Sequence, residues 1–318
     1  KKKENDYAIL FRFDNDLISG SDDFYTNGLY LGFVNLSNSF EESIFPDFLG
    51  RGLSHLPGLN PDGRLVSSGF SFAHRMFTPH DIENPDPILD DMPYSGQLMF
   101  SVSAGTQNSR HLDAWTISIG ETGPITRGAE LQFDVHYSLL APEAEGWQYQ
   151  LKNEILVNLL YEHRFRLFEK GRETRFFDAM LNGSGGLGNL SSFAEISFGL
   201  RLGWNIPNDF YAPTSLYVNP LIGVLPTNKN QKKFSFYLFG IIGGSYTFNN
   251  IALDGNTFDE NSPFIEYDHF NSRISYGFVL GSNKFHLIYN VVYEPITWEN
   301  SFQIKEDIYG QLTFVWIF

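Results

Sequence analysis

Three groups of polar residues in the chain have types and spacings suited to chemistry. Asp14-Asn15-Asp16 sets a carboxamide between two carboxylates, hard oxygen donors of the kind that surround Ca²⁺. The same residue types also suit the start of a solvated loop. Asp22-Asp23-Phe24-Tyr25-Thr26-Asn27-Gly28 follows closely, and its Asp, Asn and Gly equally favour a turn. The third group is Gln132 and His136, spaced four apart and so on one face of a helix. Glu143 and Glu145 lie just beyond and are near enough to share a site with that histidine. A histidine so placed suits proton transfer, although a lone helical histidine also serves as a packing residue.

The elements that must hold these groups are strands. Period-two alternation runs the length of the chain, as in Ile155, Val157, Leu159, Tyr161, His163, Phe165 and Leu167 with Asn158, Glu162, Arg164 and Arg166 between them. Tyr7, Ile9, Phe11 and Phe13 oppose Arg12, Asp14 and Asp16 in the same way. The apolar faces are long and aromatic, with 31 Phe, 16 Tyr and 5 Trp in 318 residues. The opposite faces are Gly, Ser, Glu and Arg. A soluble sandwich would bury its apolar faces against a second sheet; this pattern instead predicts a transmembrane antiparallel β-barrel with a lipid-facing exterior and a polar lumen. The stretch 234–253 is uncharged, but Gly240, Gly243, Gly244 and Asn249 interrupt it, so no spanning helix is expected.

About twelve strands are expected, at 7–17, 25–38, 65–78, 94–105, 111–121, 150–168, 173–182, 191–205, 234–249, 268–282, 283–294 and 308–318. An even number suits closure, which removes the edges that lipid cannot hydrogen-bond. The chain is expected to form a single barrel domain over 1–318. Leu312, Phe314, Trp316 and the terminal Phe318 alternate, similar to the signal by which outer-membrane barrels are recognised for assembly. Lys170-Gly171-Arg172 and Gly281-Ser282-Asn283 suit short periplasmic turns, and 40–64, 79–93, 206–232 and 250–267 are expected to be extracellular loops. One segment differs. Around 126–140 the period becomes 3.6, with Leu131, Val135 and Leu139 on one stripe and Gln132, His136 and Leu140 beside it, between Pro124 and Pro142. This predicts a short helix in an extracellular loop.

Composition excludes other classes. A net charge of −15 disfavours nucleic acid as a partner. The absence of cysteine excludes disulfides and thiolate chemistry. No signal peptide follows Lys1-Lys2-Lys3, and an exported barrel would have had its leader removed.

The parity of the first strand sets Asn15 on the same side as Phe11 and Phe13, towards lipid, where a carboxamide is costly unless covered or coordinated. At this point the motifs resemble a known family, the outer-membrane lipid A 3′-O-deacylases. The likeness runs through Asn15-Asp16, Asp23 to Gly28, Thr78-Pro79, Asp91-Met92-Pro93-Tyr94-Ser95-Gly96, Gly123-Pro124, Gln132 with His136, Gly146-Trp147, Gln150-Leu151, Asn153-Glu154 and Leu253 to Phe258. It spans nearly the whole chain in order.

The resemblance implies a twelve-stranded barrel of the Gram-negative outer membrane, with its site between the outer wall and a loop helix. It implies calcium-dependent hydrolysis of an acyl or acyloxyacyl ester of lipid A in lipopolysaccharide. His136 would be the base that activates water, Asn15 and Asp16 would be metal ligands, and Asp16 and Thr26 would shape the site. The family's metal-ligating glutamate six residues after the histidine is replaced by Pro142, which leaves the adjacent Glu143 as the expected ligand. The family's Asp-Arg-Pro-Tyr becomes Asp91-Met92-Pro93-Tyr94, and 79–93 holds no Lys or Arg. A monomer is expected, with a protein partner open. Two other readings stay on the table: an inactive barrel acting as a structural or partner-binding subunit, and a passive pore. Against the pore, Arg12, Arg164, Arg166, Arg201, Glu162 and Glu195 are expected to pair across and fill a narrow lumen.

Overall fold

In the computed structural model, residues 6–15, 24–88, 90–139, 142–171, 175–211, 220–226, 234–298 and 303–318 are described. The alternating segments become β1 (Asp6–Asn15), β2 (Phe24–Ser37), β3 (Leu65–Thr78), β4 (Ser95–Gln107), β5 (His111–Thr122) and β6 (Glu154–Lys170). The second half supplies β7 (Arg175–Gly188), β8 (Ser191–Ile206), β9 (Ser235–Asn250), β10 (Phe270–Gly281), β11 (Phe285–Trp298) and β12 (Gln303–Ile317). They pair antiparallel in chain order, and β1 pairs with β12, so the sheet is a closed barrel. The strands carry apolar outer faces, while inward apolar residues such as Leu10, Phe239, Ile288 and Val315 are buried. Ile117, Ile155, Ile196, Leu202 and Trp204 are all more than half exposed, as a lipid-facing wall requires. No described helix is long and apolar enough to cross a membrane.

Antiparallel closure sends successive connections to alternate ends. The end opposite the chain termini carries 79–94, 123–153 and 251–269 and is called the loop end. Here the structure corrects two expectations. The segments 40–64 and 206–232 leave β2 and β8 at the end that holds the termini, so they do not share the extracellular side with the other long loops. Length alone had marked them as extracellular; strand parity in a closed barrel decides otherwise. The first contains α1 (Asp47–Leu53), with Phe40 buried against Leu59 and Val66.

The described parts of the second, 206–211 and 220–226, enter the lumen. Phe210, Leu221, Ile222, Val224 and Leu225 are buried. Arg164 Nη1 donates to the Phe210 carbonyl at 2.6 Å, and Gln107 Nε2 donates to that of Leu225 at 2.9 Å. Glycine on the inner wall makes room: a Cβ on Gly69 would lie 2.6 Å from Leu221 Cδ2.

Around this plug the lumen charges pair, but along or near one stretch of wall rather than across the lumen as expected: two pairs lie within one strand, and others join strands one or two apart. Arg12 meets Asp14 at 3.0 Å, Arg164 meets Glu162 at 2.7 Å, and Arg273 meets Glu195 at 3.0 Å. Arg201 grips Asp178 through Nε and Nη2 at 2.8 and 2.7 Å, and reaches Asp209 of the plug at 2.5 Å. Buried charge persists only when paired in this way.

The helical period is realised as a 3₁₀ turn, Pro124–Thr126, followed by α2 (Gly128–Leu139). Gly123 at φ 99° and Arg127 at φ 58° turn the chain on either side of Pro124–Thr126. Leu140 lies outside the described residues. A short α3 (Ile251–Asp254) opens the next long loop, capped by the Asn250 side chain.

Candidate active site on the outer wall

The site begins with Asn15, the last residue of β1. Ile9 and Phe11 on its face are exposed, yet Asn15 is only 6% exposed. Something covers it. In β2 the register with β3 shifts between Tyr25 and Asn27, a bulge that leaves Thr26 without a partner on β3. The bulge turns Tyr25 into the lumen, where its hydroxyl donates to Asp14 Oδ2 at 2.8 Å. Thr26 is turned to the outer wall, because its hydroxyl is 2.6 Å from that of Thr78. Thr78 shares the outward parity of Phe70 and Phe72 on β3. Asn15 Nδ2 donates to the Thr26 carbonyl at 3.1 Å, which turns the carboxamide oxygen away from that carbonyl.

The outward row continues through the register, with Asn15 opposite Asn27, Asn27 opposite Met76, and Met76 opposite Gly96. Gly96 is where the loop docks. A Cβ there would lie 2.1 Å from Thr126 Oγ1 and 3.6 Å from Gly128 Cα, so only glycine admits the approach. His74 Nε2 lies 2.9 Å from the Thr126 carbonyl and donates to it. Met76, Tyr94 and Trp147 form a buried cluster with Ala129, Leu131 and Ala144. These contacts hold α2 against the exterior of β3 and β4.

The helix is inverted relative to one in water. Its buried stripe is Gly128, Gln132 and His136, whereas Phe133 and Tyr137 are 51% and 76% exposed. Leu131 and Val135, expected as the apolar stripe, are half-buried at its flank. The physical reason is that lipid takes the apolar side chains from outside, so the polar ones turn to the wall.

The hydrogen bonds of that stripe fix each donor and acceptor. Trp147 Nε1 can only donate, and it lies 2.6 Å from Gln132 Oε1. The Gln132 amide nitrogen therefore faces His136 Nε2, at 3.5 Å. A carbonyl can only accept, and that of Pro142 is 2.5 Å from His136 Nδ1, so Nδ1 carries the proton. Nε2 is left as the basic nitrogen. A buried imidazole held in one tautomer, its lone pair towards a donor it can exchange for water, suits a general base.

The structure brings together Asn15, Thr26 and Thr78 on the wall, and Gln132, His136 and Trp147 in the loop that covers the row they continue. Asp16, and with it Asp22 and Asp23, lies outside the described residues. Glu143 and Glu145 are exposed; the Glu145 amide ties the loop to the Ile82 carbonyl at 2.8 Å. Among the described residues no three His, Asp or Glu side chains gather as a metal site. The described donors near Asn15 are neutral oxygens, matching a hard cation in type but lacking its countercharge. Two participants were hidden in the sequence. Thr78 gave no sign beyond its motif, and the Pro142 carbonyl that orients His136 has no side-chain signature at all.

Fold and site define an outer-membrane β-barrel with candidate chemistry on its outside, beneath a loop helix. The chain belongs to the LpxR family: the family described as outer membrane protein LpxR matches residues 1–318. It is accordingly a protein of the Gram-negative outer membrane. Among solved structures it is similar to LpxR from Salmonella typhimurium, with 15% identity and a TM-score of 0.74 over 97% of this chain and 99% of that one. The β domain of the Bordetella autotransporter BrkA follows at 10% identity and TM-score 0.45, covering 99% of this chain and 98% of that one. No curated protein matches the sequence.

Proposed function

We propose that this barrel is an esterase that removes the 3′-linked acyl or acyloxyacyl group of lipid A by adding water across the ester. The observation that carries the proposal is a buried polar cluster on the lipid-facing wall, Asn15, Thr26 and Thr78, in register with Met76 and Gly96, where a helix docks whose buried histidine is held in one tautomer. Lipid A offers what such a site needs: acyl chains that stay in the leaflet beside Phe133 and Tyr137, and an ester at headgroup depth. His136 Nε2 takes a proton from water as the water attacks, and can return it to the departing sugar oxygen. The Trp147–Gln132 bond keeps the amide turned to that nitrogen. Thr26 and Thr78 line the wall side.

Ca²⁺ is the expected cofactor, and when bound it supplies Lewis-acid polarisation of the ester carbonyl. Asn15 and Asp16 are the residues proposed to hold it, with the exposed Glu143 contributing least. A second reading, the inactive barrel, is favoured by Pro142 and by the outward Glu143. The buried plug counts against the pore.

The test is mass spectrometry of lipid A after incubation with the purified protein in detergent, with Ca²⁺ or with chelator. Loss of the 3′ acyl mass is expected only with Ca²⁺, and His136→Ala should slow it about 10²–10⁴-fold. Loss that survives chelation rejects the metal, and loss that survives His136→Ala rejects the base. A folded wild-type barrel that leaves several lipid A species intact points to the inactive reading.

A further inference from the structure

A cavity of about 770 Å³ opens at the loop end, where three long loops meet. Its size is that of a site for a small molecule or a short saccharide. The walls come from Pro87, Ile88, Asp90 and Asp91, from Trp147 to Lys152 and from residues between Asp259 and Glu266, three stretches far apart in sequence. The loops that supply the last two are held together by more than contact. Asn256 exchanges hydrogen bonds with the Lys152 backbone, accepting from its amide at 2.8 Å and donating to its carbonyl at 2.9 Å. Glu154 accepts from the Thr257 amide at 2.9 Å.

The chemistry of the wall selects its ligand. Tyr149 and Phe264 present exposed rings, and Pro87 and Pro263 add flat apolar surface. Asp90, Glu266, Gln148 and Asn261 surround them with exposed carboxylates and amides. Lys152, the one cation among the described lining residues, is already bound to Asp259 at 2.6 Å. That lysine and a backbone amide hold the Asp259 carboxyl below its ordinary range. A phosphate would meet a negative wall with its one cation engaged. A pyranose ring fits better: its C–H face lies on an aromatic ring and its hydroxyls donate to carboxylates and amides.

The cavity also touches the candidate active site. Trp147 lines it, and the same indole N–H orients Gln132 beside His136. A sugar seated there would lie against the far side of the residue that sets the base.

We propose that this cavity is a saccharide subsite that holds sugar units attached to the substrate beyond its acylated disaccharide. The ligand is hydroxyl-rich, unphosphorylated sugar. The inference rests on the deacylase reading for its substrate, but not for the binding itself. Two measurements separate the two. The first is calorimetry of the purified wild-type protein with core oligosaccharide released from lipopolysaccharide, compared with Tyr149→Ala/Phe264→Ala. Saturable binding is expected in the wild type and a loss of about tenfold or more in affinity in the double variant. Tyr149→Phe, which keeps the ring, should retain binding. The second is deacylation of core-bearing lipopolysaccharide against bare lipid A. The double variant should raise KM for the core-bearing substrate about tenfold more than KM for bare lipid A.

Absence of oligosaccharide binding in the folded wild type overturns the subsite whatever the enzyme does. Equal KM effects on both substrates overturn it as well. Binding without any deacylation of either substrate keeps the subsite and rejects the catalytic reading. Binding of the free oligosaccharide with no KM difference assigns the cavity to free saccharide and rejects the substrate-attached form proposed here.

Discussion

The outer wall at the loop end and the lumen solve opposite problems with the same strands. In the lumen, charges are buried and each finds a partner: Arg201 spans Asp178 and Asp209, and Arg273 spans Glu195 and Glu294. On the wall, the buried groups are neutral, namely Asn15, Thr26, Thr78 and Gln132, with His136 as the titratable member. The lumen network is closed on itself and ties down a plug. The wall network ends on the His136 Nε2 nitrogen, met by the Gln132 amide at a long 3.5 Å. Saturated polar pairs give rigidity; an open end gives reactivity.

The largest effect expected from this contrast is in the lumen. Arg201→Met leaves Asp178 and Asp209 short of a partner and should cost about 3–5 kcal/mol, read by urea unfolding of the barrel in vesicles. Deacylation by the fraction that stays folded should hold within about twofold of wild type, because no wall residue is disturbed. Loss of activity in a folded Arg201 variant would break the separation between the two regions.

Gly128→Val tests the wall side. Its Cβ would fall 2.8 Å from the Trp147 ring, so α2 must lift or tilt. A displacement near 1 Å is expected to lower kcat/KM about 10²-fold, with a smaller loss of stability, about 1–3 kcal/mol, in the same unfolding assay. Trp147→Phe keeps the ring but deletes the indole N–H, and Gln132 then has no fixed sense. A fall in kcat of about tenfold is expected, with KM for bare lipid A little changed. The smallest effect belongs to Glu143→Gln. Its exposure predicts activity and Ca²⁺ dependence within about twofold of wild type, and a larger shift in the Ca²⁺ titration would place Glu143 in the metal shell after all.

Much of this was legible in advance. The segments expected at 65–78, 111–121, 191–205 and 234–249 became Leu65–Thr78, His111–Thr122, Ser191–Ile206 and Ser235–Asn250. The reason is that a wall with lipid on one side and polar lumen on the other forces strict alternation. Asn15 stood out because it broke that alternation, and the helix because it broke the period. The buried face of α2 was harder to see. Amphipathicity marks two faces but not which one meets protein, and next to lipid the usual assignment reverses. The sidedness of 40–64 and 206–232 also escaped, because composition does not encode which end of a barrel a connection occupies.

Residue order alone therefore determined the class of molecule: alternation long enough to span a membrane, aromatic outer faces, paired lumen charges, and a histidine on a helical face. Tertiary structure decided what no linear pattern carries. A bulge at Thr26 turns one hydroxyl to the outer wall, glycine at 96 lets a loop helix touch the barrel, and Phe210 and Leu221 to Leu225 fold back into the lumen. The tautomer of His136 was decided by a backbone carbonyl and an indole brought to either end of one short chain of hydrogen bonds. Such contacts depend on where closure of the sheet places distant residues, and closure is a property of all twelve strands together.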